Sequence, residues 1–282
     1  MKIVQTVMEM QRLSREWNKQ GLSIGLVPTM GFFHEGHLSL MRLARSRCDK
    51  VITTLFVNPM QFGPNEDLDA YPRDFERDES LAKSENVDVM FCPETKEIYG
   101  DDFQTSISVN LLSKGLCGAD RPGHFDGVAT VVTKLFNITQ PHLAIFGQKD
   151  YQQLALIRQL VSDLNFDIEI IGHPIVRESD GLAMSSRNKY LDENERQLAT
   201  CLFEAILEAK KMVYKHGGSI ASDEIVKMAQ DRIEKNPSCR VEYVSVVHKQ
   251  TLQPVDVADS EAVLALAMKV NNKVRLIDNS PL

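Results

Sequence analysis

Two histidines flank a glycine in the segment PTMGFFHEGH, residues 28–37. The apolar run 24–27 precedes this segment and apolar residues at helical spacing follow it, which predicts a strand, a turn and a helix start. A helix start presents unpaired N–H groups and the positive end of the helix dipole, and both favour a phosphate group. His34 and His37 add imidazole donors, and Gly36 lets the backbone pass close to a ligand. The pattern predicts nucleotidyl transfer that cleaves ATP between its α- and β-phosphates, whereas two surface histidines in a turn are the alternative.

Two further segments carry side chains that suit a polyphosphate. In GQKD, residues 147–150, Lys149 is a mobile positive charge at a second strand-to-helix junction. In MSSR, residues 184–187, two hydroxyls stand beside Arg187, whose guanidinium can bind two oxygens at once. Taken alone, Lys149 is an ordinary surface lysine and MSSR a common loop sequence. Together with the histidine turn, they predict a polyphosphate site.

Amide and acidic side chains give weaker signals. Gln61 lies in NPMQFG, residues 58–63, a loop too apolar to be only a solvent connector, and Gln153 is a second amide. Both could equally be surface glutamines. RPGHFDG, residues 121–127, is either a loop over the same crevice or an ordinary turn. Asp78 belongs to an acidic helix face that is usually just solvated, and it is our candidate magnesium ligand.

Strands and helices alternate through the first part of the chain. This alternation predicts an α/β fold with a Rossmann-like, doubly wound parallel sheet. Ligands of such sheets lie beyond the carboxyl ends of the strands. Because His34, Asn58 and Gly147 each follow a strand, we expect them to converge on one crevice. The predicted strands are 2–4, 23–27, 51–57, 87–91, 142–146 and 167–171.

The pattern changes near residue 176. Two helical segments, 192–214 and 222–235, are followed by three short strand-like runs between residues 241 and 277. Helices followed by consecutive strands predict a smaller α+β domain with an antiparallel sheet. The predicted domains are therefore residues 1–176 and 177–282.

Composition limits the classes of function. The 282 residues carry a net charge of −7, which argues against a large nucleic-acid surface but permits a locally basic site. Five cysteines without a Cys-x-x-Cys pair argue against a disulfide framework or structural zinc and favour a reducing cytoplasm. No signal segment is visible, and no apolar run approaches the roughly 18 residues of a membrane span. We expect a cytoplasmic protein without nucleic-acid or membrane partners.

The motifs together resemble the pantoate–β-alanine ligase (pantothenate synthetase) family over essentially the whole chain. Phe33, where the family often has a smaller aliphatic residue, and Gly100, where proline is frequent, are departures that touch no expected catalytic group. The matching strings occur in the family's order: PTMGFFHEGH, FVNPMQFG, DAYPR, RPGHFDG, GQKD, MSSR and RLIDN.

The resemblance implies an ATP-dependent condensation of (R)-pantoate with β-alanine. A pantoyl adenylate would form first, and the products would be pantothenate, AMP and pyrophosphate. The family further implies Mg²⁺, a homodimer, an N-terminal domain that binds ATP and pantoate, and a C-terminal lid domain.

The family's site residues carry over onto matching positions. His37 is the family's assigned catalytic residue, with His34, Lys149 and Arg187 as further catalytic candidates. Gln61 and Gln153 would hold pantoate. The implied ATP-binding residues are Met30, Gly31, Phe32, Phe33, His34, Glu35, Gly36, His37, Gly147, Gln148, Lys149, Asp150, Val176, Met184, Ser185, Ser186 and Arg187.

Other classes of function share the histidine turn. An adenylyltransferase would release a stable adenylylated product. A truncated aminoacyl-tRNA synthetase is disfavoured by the acidic charge and by the absence of a basic tRNA-binding domain. A nucleotide-sensing module would bind ATP without any pantoate-dependent exchange of pyrophosphate into ATP.

Overall fold

A computed structural model describes residues 1–64 and 66–282. The described chain divides into two compact units. The first comprises Met1–Ser113, Arg121–Gln148 and Gln153–Pro174, and the second comprises Lys114–Asp120, Lys149–Gln152 and Ile175–Leu282. The domain boundary predicted after residue 176 stays a prediction.

Strands and helices are numbered in chain order. The strands are β1 (Lys2–Val4), β2 (Ile24–Val27), β3 (Lys50–Thr54), β4 (Val89–Phe91), β5 (Leu143–Gly147), β6 (Glu169–His173), β7 (Ile220–Ala221), β8 (Cys239–His248), β9 (Val257–Ala258), β10 (Ala262–Val270) and β11 (Val274–Pro281). The helices are α1 (Val7–Lys19), α2 (Glu35–Arg47), α3 (Phe75–Ser84), α4 (Thr95–Ile98), α5 (Cys117–Asp120), α6 (His124–Thr139), α7 (Tyr151–Asp163), α8 (Glu193–Ala199), α9 (Cys201–Lys215) and α10 (Ser222–Glu234).

A six-stranded parallel sheet forms the centre of the first unit. Its strands lie in the order β1-β4-β3-β2-β5-β6, and each neighbouring pair is parallel. Every residue of β2 is buried, as expected for a strand that is covered on both faces. The α/β, Rossmann-like prediction is confirmed.

The strand order fixes where the predicted residues lie in this sheet. The chain places β3, β4 and β1 on one side of β2 and places β5 and β6 on the other. The switch point of the sheet is therefore between β2 and β5, where ligands of such folds bind. The segments that follow β3, β2 and β5 leave the sheet at this same edge, as the sequence predicted.

An antiparallel sheet organises the second unit. The strand β10 lies between β11 and β8, and β7 pairs with β9 separately. Leu264, Leu266 and Met268 of β10 are fully buried in a core that also includes residues of α9 and α10. The prediction of a small α+β domain is confirmed.

Two helices differ from the predicted ones. The predicted helix 192–214 is interrupted at Thr200, whose hydroxyl donates to the carbonyl oxygen of Gln197 at 2.8 Å. Such a local bond competes with the helical pattern. Helix α6 begins at His124, so the second half of RPGHFDG forms the first turn of this helix. No helix in the described ranges combines the length and apolar character needed to cross a bilayer.

Candidate active site

A buried carboxylate holds the turn between β2 and α2. Asp78, on α3, is 1% exposed. Its Oδ2 accepts the N–H of Phe32 at 2.6 Å, and its Oδ1 accepts the N–H of Phe33 at 2.7 Å. Burial raises the pKa of Asp78 above its ordinary value, while the two N–H groups and Arg77 oppose that rise.

The path of the turn also requires a glycine. Gly31 has a φ of +90°, and a Cβ there would lie 3.1 Å from Oδ2 of Asp78 and 3.2 Å from Cγ of Leu55. Thr29 anchors the strand end, because its N–H donates to Oγ1 of Thr54 at 2.9 Å and its own Oγ1 accepts the N–H of Gly31 at 3.2 Å. The backbone before the histidines is therefore fixed by side chains of α3 and β3.

The two histidines cap helix α2 with their own ring nitrogens. Nδ1 of His34 accepts the N–H of Gly36 at 3.2 Å, and Nδ1 of His37 accepts the N–H of His34 at 3.3 Å. The ring centroids are 4.1 Å apart. A neutral imidazole that accepts at Nδ1 carries its hydrogen at Nε2. These bonds therefore assign Nε2 as the donor of each half-buried ring.

Several backbone donors of the turn are paired within the protein. Besides the four N–H groups already described, the N–H of Gly31 meets Thr29, and the N–H of His37 donates to the carbonyl oxygen of His34 at 2.8 Å. The sequence led us to expect unpaired N–H groups for a phosphate. The structure shows that Asp78, Thr29 and the imidazoles bind several of these N–H groups, and each imidazole has Nε2 as its own donor.

Gln61 lies next to this turn in the first unit. It ends a short 3-10 helix, Pro59–Gln61, and is only 9% exposed. Its Nε2 donates to Sδ of Met30 at 3.1 Å, and its Oε1 accepts from Nδ2 of Asn58 at 3.1 Å. The structure thus places Gln61, predicted to bind pantoate, in contact with the predicted ATP-binding turn.

RPGHFDG supports Gln61 from its backbone side. Nδ1 of His124 is 2.8 Å from the carbonyl oxygen of Gln61, so it must be the donor, and Nε2 of His124 then accepts from Nη1 of Arg121 at 3.0 Å. Arg121 also pairs with both carboxylate oxygens of Glu66 at 2.6 and 2.5 Å. A Cβ on Gly127 would lie 2.4 Å from the carbonyl oxygen of Met60, so this approach requires glycine. The segment is thus more than an ordinary turn, since it positions another loop, and its place over the crevice stays a prediction.

The remaining predicted residues of the first unit lie near the end of β5. Gly147 is the last residue of that strand and is in register with His173 of β6. Nε2 of Gln148 donates to the carbonyl oxygen of Gly172 at 3.3 Å. Gln153 is half-buried in the first turn of α7. The contacts of Gln148 connect the predicted ATP segment to the neighbouring strand.

A hairpin carries the MSSR segment in the second unit. The N–H of Met184 donates to the carbonyl oxygen of Val176 at 3.0 Å, which pairs two of the predicted ATP residues. The hairpin turns at Gly181, whose φ is +91°. Ser185 then caps the 3-10 helix Ser186–Tyr190 by accepting the N–H of Arg187 at 3.2 Å. Arg187 is half-buried at the start of this helix.

The end of β11 binds both the hairpin and the backbone of Lys149, a role that the sequence did not predict. Arg177 of the hairpin donates to both carboxylate oxygens of Asp278 at 2.7 and 2.9 Å. The adjacent Asn279 donates from Nδ2 to the carbonyl oxygen of Lys149 at 2.8 Å. Lys149 is half-buried and Asp150 is exposed. The available signal was the RLIDN string, which contains Asp278 and Asn279 but suggested no role.

The metal role of Asp78 receives no support from its surroundings. Both of its oxygens are engaged by backbone N–H groups. The described part of the chain contains no group of three or more His, Cys, Asp or Glu side chains that could hold a metal ion. These residues therefore do not form a magnesium cage, and Asp78 as a ligand stays a prediction.

Comparisons with known proteins agree over the full length. The family model "Pantoate-beta-alanine ligase" matches residues 2–281. A pantothenate synthetase of Desulfotalea psychrophila is 54% identical, with 100% of this chain and 99% of the relative covered. A crystal structure of pantothenate synthetase from Thermus thermophilus superposes with a TM-score of 0.92 at 42% identity, covering 100% and 99% of the two chains. A crystal structure of pantoate-beta-alanine ligase from Francisella tularensis, complexed with beta-gamma ATP and beta-alanine, superposes with a TM-score of 0.83 at 35% identity. The superposition covers 100% of this chain and 97% of that chain.

We expect Asp78→Ala to reduce the free energy of unfolding by about 1–3 kcal/mol, because two buried N–H groups lose their acceptor. Urea unfolding measures this loss, and Glu76→Ala, at an exposed position of α3, is the matched control.

Because burial raises the pKa of Asp78 above 3.8, ionisation of this group opposes folding. Its contribution is complete below the unfolded pKa and declines as the pH rises through the folded pKa. The difference in the free energy of unfolding between the wild type and Asp78→Ala should therefore decrease as the pH rises from 3.8 through the higher folded pKa. The role would be contradicted if Asp78→Ala lost no more free energy of unfolding than Glu76→Ala, or if its loss increased with pH.

Proposed function

This chain belongs to the pantoate-beta-alanine ligase family, and we propose that the turn with His34 and His37 carries its chemistry. The enzyme is a ligase that condenses (R)-pantoate with β-alanine in an ATP-dependent reaction through a pantoyl adenylate. One observation supports the proposed site above all others: backbone N–H groups bind Nδ1 of both imidazoles and so make both Nε2 atoms donors.

In the first step a pantoate carboxylate oxygen forms a bond to the α-phosphorus of ATP, and the bond from that phosphorus to the pyrophosphate oxygen breaks. Both reactants are anions, so the site has to disperse negative charge as they approach. We assign this role to the Nε2–H groups of His34 and His37. The substrate carboxylate is itself the nucleophile, so the reaction needs no side-chain nucleophile.

ATP binding involves residues of four segments in this proposal. The turn 30–37 and residues 147–150 contact the nucleotide, as do Val176 and residues 184–187. Lys149 and Arg187 supply positive charge to phosphate oxygens, Arg187 with the planar fork that suits two oxygens. The hydrogen bonds that fix the backbone of Lys149 and cap the helix at Arg187 support these assignments.

Pantoate is held by Gln61 and Gln153 in this proposal. Nε2 of Gln61 points towards Met30 of the ATP-binding turn. A substrate oxygen that accepts from this amide is therefore held next to the reacting phosphate. In the second step the β-alanine nitrogen attacks the acyl carbon, the bond to the AMP oxygen breaks, and the nitrogen loses a proton. Retention of the adenylate beside the amine makes this step effectively intramolecular.

Magnesium, the dimer and the compartment are also part of the proposal. Mg²⁺ prefers phosphate oxygens and water with few protein ligands, so we propose that it enters on the triphosphate of ATP. We propose a cytoplasmic homodimer, whose mass light scattering would test. The five cysteines are all free, as is usual in a reducing compartment. The lid role of residues 177–282 stays a prediction.

One experiment discriminates among the classes of function. We expect the protein to exchange labelled pyrophosphate into ATP only when pantoate is present, and to release AMP and an amide when β-alanine is added. An ATP-binding module would show no exchange. A stable adenylylated product would instead identify an adenylyltransferase and overturn the proposed function.

We expect His37→Ala and His34→Ala to lower kcat by about 10²- to 10³-fold, since each removes one donor that stabilises developing charge. Asparagine is a good N-cap residue, so His34→Asn should keep the stability of α2 and still lose activity. His216→Ala, at an exposed position, is the control. Steady-state kinetics and thermal unfolding measure both properties, and near-wild-type turnover in a variant would remove that histidine from the mechanism.

We expect Gln61→Ala to raise the KM for pantoate about tenfold, the value of a hydrogen bond of about 1.4 kcal/mol. The KM for ATP should change less than about twofold, because the amide is assigned to pantoate alone. Initial rates with each substrate varied in turn measure the two constants. The exposed Gln20→Ala serves as the control. Equal increases in both constants would contradict the assignment.

A further inference from the structure

Tyr99 is linked to Gln61 through Asn58 and has no role in the reaction described so far. Its hydroxyl donates to Oδ1 of Asn58 at 2.7 Å. The ring is fixed by Phe103, with centroids 4.9 Å apart, and by Phe56 at 6.2 Å. Burial raises the pKa of Tyr99, so the hydroxyl keeps its hydrogen and remains a donor.

The N–H of Met60, which can only donate, and the carbonyl oxygen of Gly127, which can only accept, decide which way the Asn58 amide faces. The Tyr99 hydroxyl adds a second donor to Oδ1 and so holds the amide in that orientation. Oδ1 accepts from Tyr99 and from the N–H of Met60 at 3.3 Å. Nδ2 then has to be on the opposite side, where it donates to Oε1 of Gln61 and to the carbonyl oxygen of Gly127, each at 3.1 Å. Asn58 is 1% exposed, so a reversed amide would place donor against donor without water to compensate.

The same logic continues to Gln61. Since Nδ2 of Asn58 is a donor, the atom of Gln61 facing it has to be the acceptor Oε1. Nε2 is then directed towards Met30, where its partner is a thioether sulfur, which is only a weak acceptor. A substrate oxygen offers this N–H group a far better acceptor than sulfur does.

We propose that Tyr99 is a positioning residue for pantoate, because its hydrogen bond to Oδ1 holds Asn58 in the orientation that directs Nε2 of Gln61 towards the substrate. This relay rests on the proposed function, in which Gln61 binds pantoate. All of its members belong to the first unit. Tyr99 itself contacts neither the substrate nor the reacting atoms in this proposal.

Tyr99→Phe tests the relay, because it removes the hydroxyl and keeps the ring. We expect the KM for pantoate to rise about 5- to 10-fold, with the KM for ATP changed less than about twofold. Tyr214→Phe is the matched control, because Tyr214 is 85% exposed. A Tyr99 that only stabilised the fold would lower the unfolding temperature and leave the ratio of the two constants unchanged, and that result would overturn the proposal.

A double-mutant cycle separates this inference from the proposed function. If Tyr99 acts through Gln61, Tyr99→Phe added to Gln61→Ala leaves the KM for pantoate at the value of Gln61→Ala alone. Effects that multiply would overturn the relay and leave the assignment of Gln61 intact. If Gln61→Ala by itself leaves that KM unchanged, the proposed role of Gln61 fails first, and the relay fails with it.

Asn58→Asp provides a second, independent variant. It keeps the acceptor for Tyr99 but removes the donor to Gln61, so it should reproduce the selective rise in the KM for pantoate even if Tyr99→Phe folds poorly. Unchanged pantoate kinetics in folded Asn58→Asp would overturn the relay.

Discussion

The site depends on the pairing of one buried carboxylate with two consecutive backbone N–H groups. Asp78 binds the N–H groups of Phe32 and Phe33. Phe32 has a φ of +53°, a left-handed conformation that a side chain adopts only when its surroundings hold it there. Burying a carboxylate is costly unless hydrogen bonds compensate. The two N–H groups of the turn offset part of that cost, although the pKa of Asp78 stays raised, and the carboxylate in turn fixes the backbone that carries the histidines.

This pairing changes how the turn can bind an anion. A helix start usually offers free N–H groups to a phosphate, but here those groups bind Asp78, Thr29 and the imidazole Nδ1 atoms. Fewer backbone donors then remain for a phosphate, and side-chain donors are needed as well. The histidine Nε2 atoms meet this requirement because each ring is held by the backbone of its own turn. The spacing His-x-x-His follows from this geometry, because it places the second ring at the N3 position of α2, where it reaches back to the N-cap.

The sequence predicted the parallel sheet, because its buried strands appear as continuous apolar runs, and it predicted that the motifs follow those strands. The role of Asp78 could not be predicted in this way. It belongs to a run of acids, residues 74–79, and only its burial distinguishes it from exposed neighbours such as Glu76. The role of Asn279 could not be predicted either, since its partner Lys149 is 130 residues away in the chain. Local patterns identify elements and turns, whereas partners distant in sequence are chosen by the packing of the fold.

The proposed sites for ATP and pantoate use the same arrangement of hydrogen bonds. An imidazole or amide presents a donor whose direction is fixed because the other end of the group is engaged by the protein. For His34 that other end is Nδ1, and for Gln61 it is Oε1, held by Asn58. Donors directed in advance require little reorganisation when charge develops. Neither donor needs a formal charge, so these groups complement the positive charge proposed for Lys149 and Arg187 without adding further cations. Loss of the engaged end should therefore harm binding as much as loss of the donor itself, and the Tyr99 relay measures this equivalence.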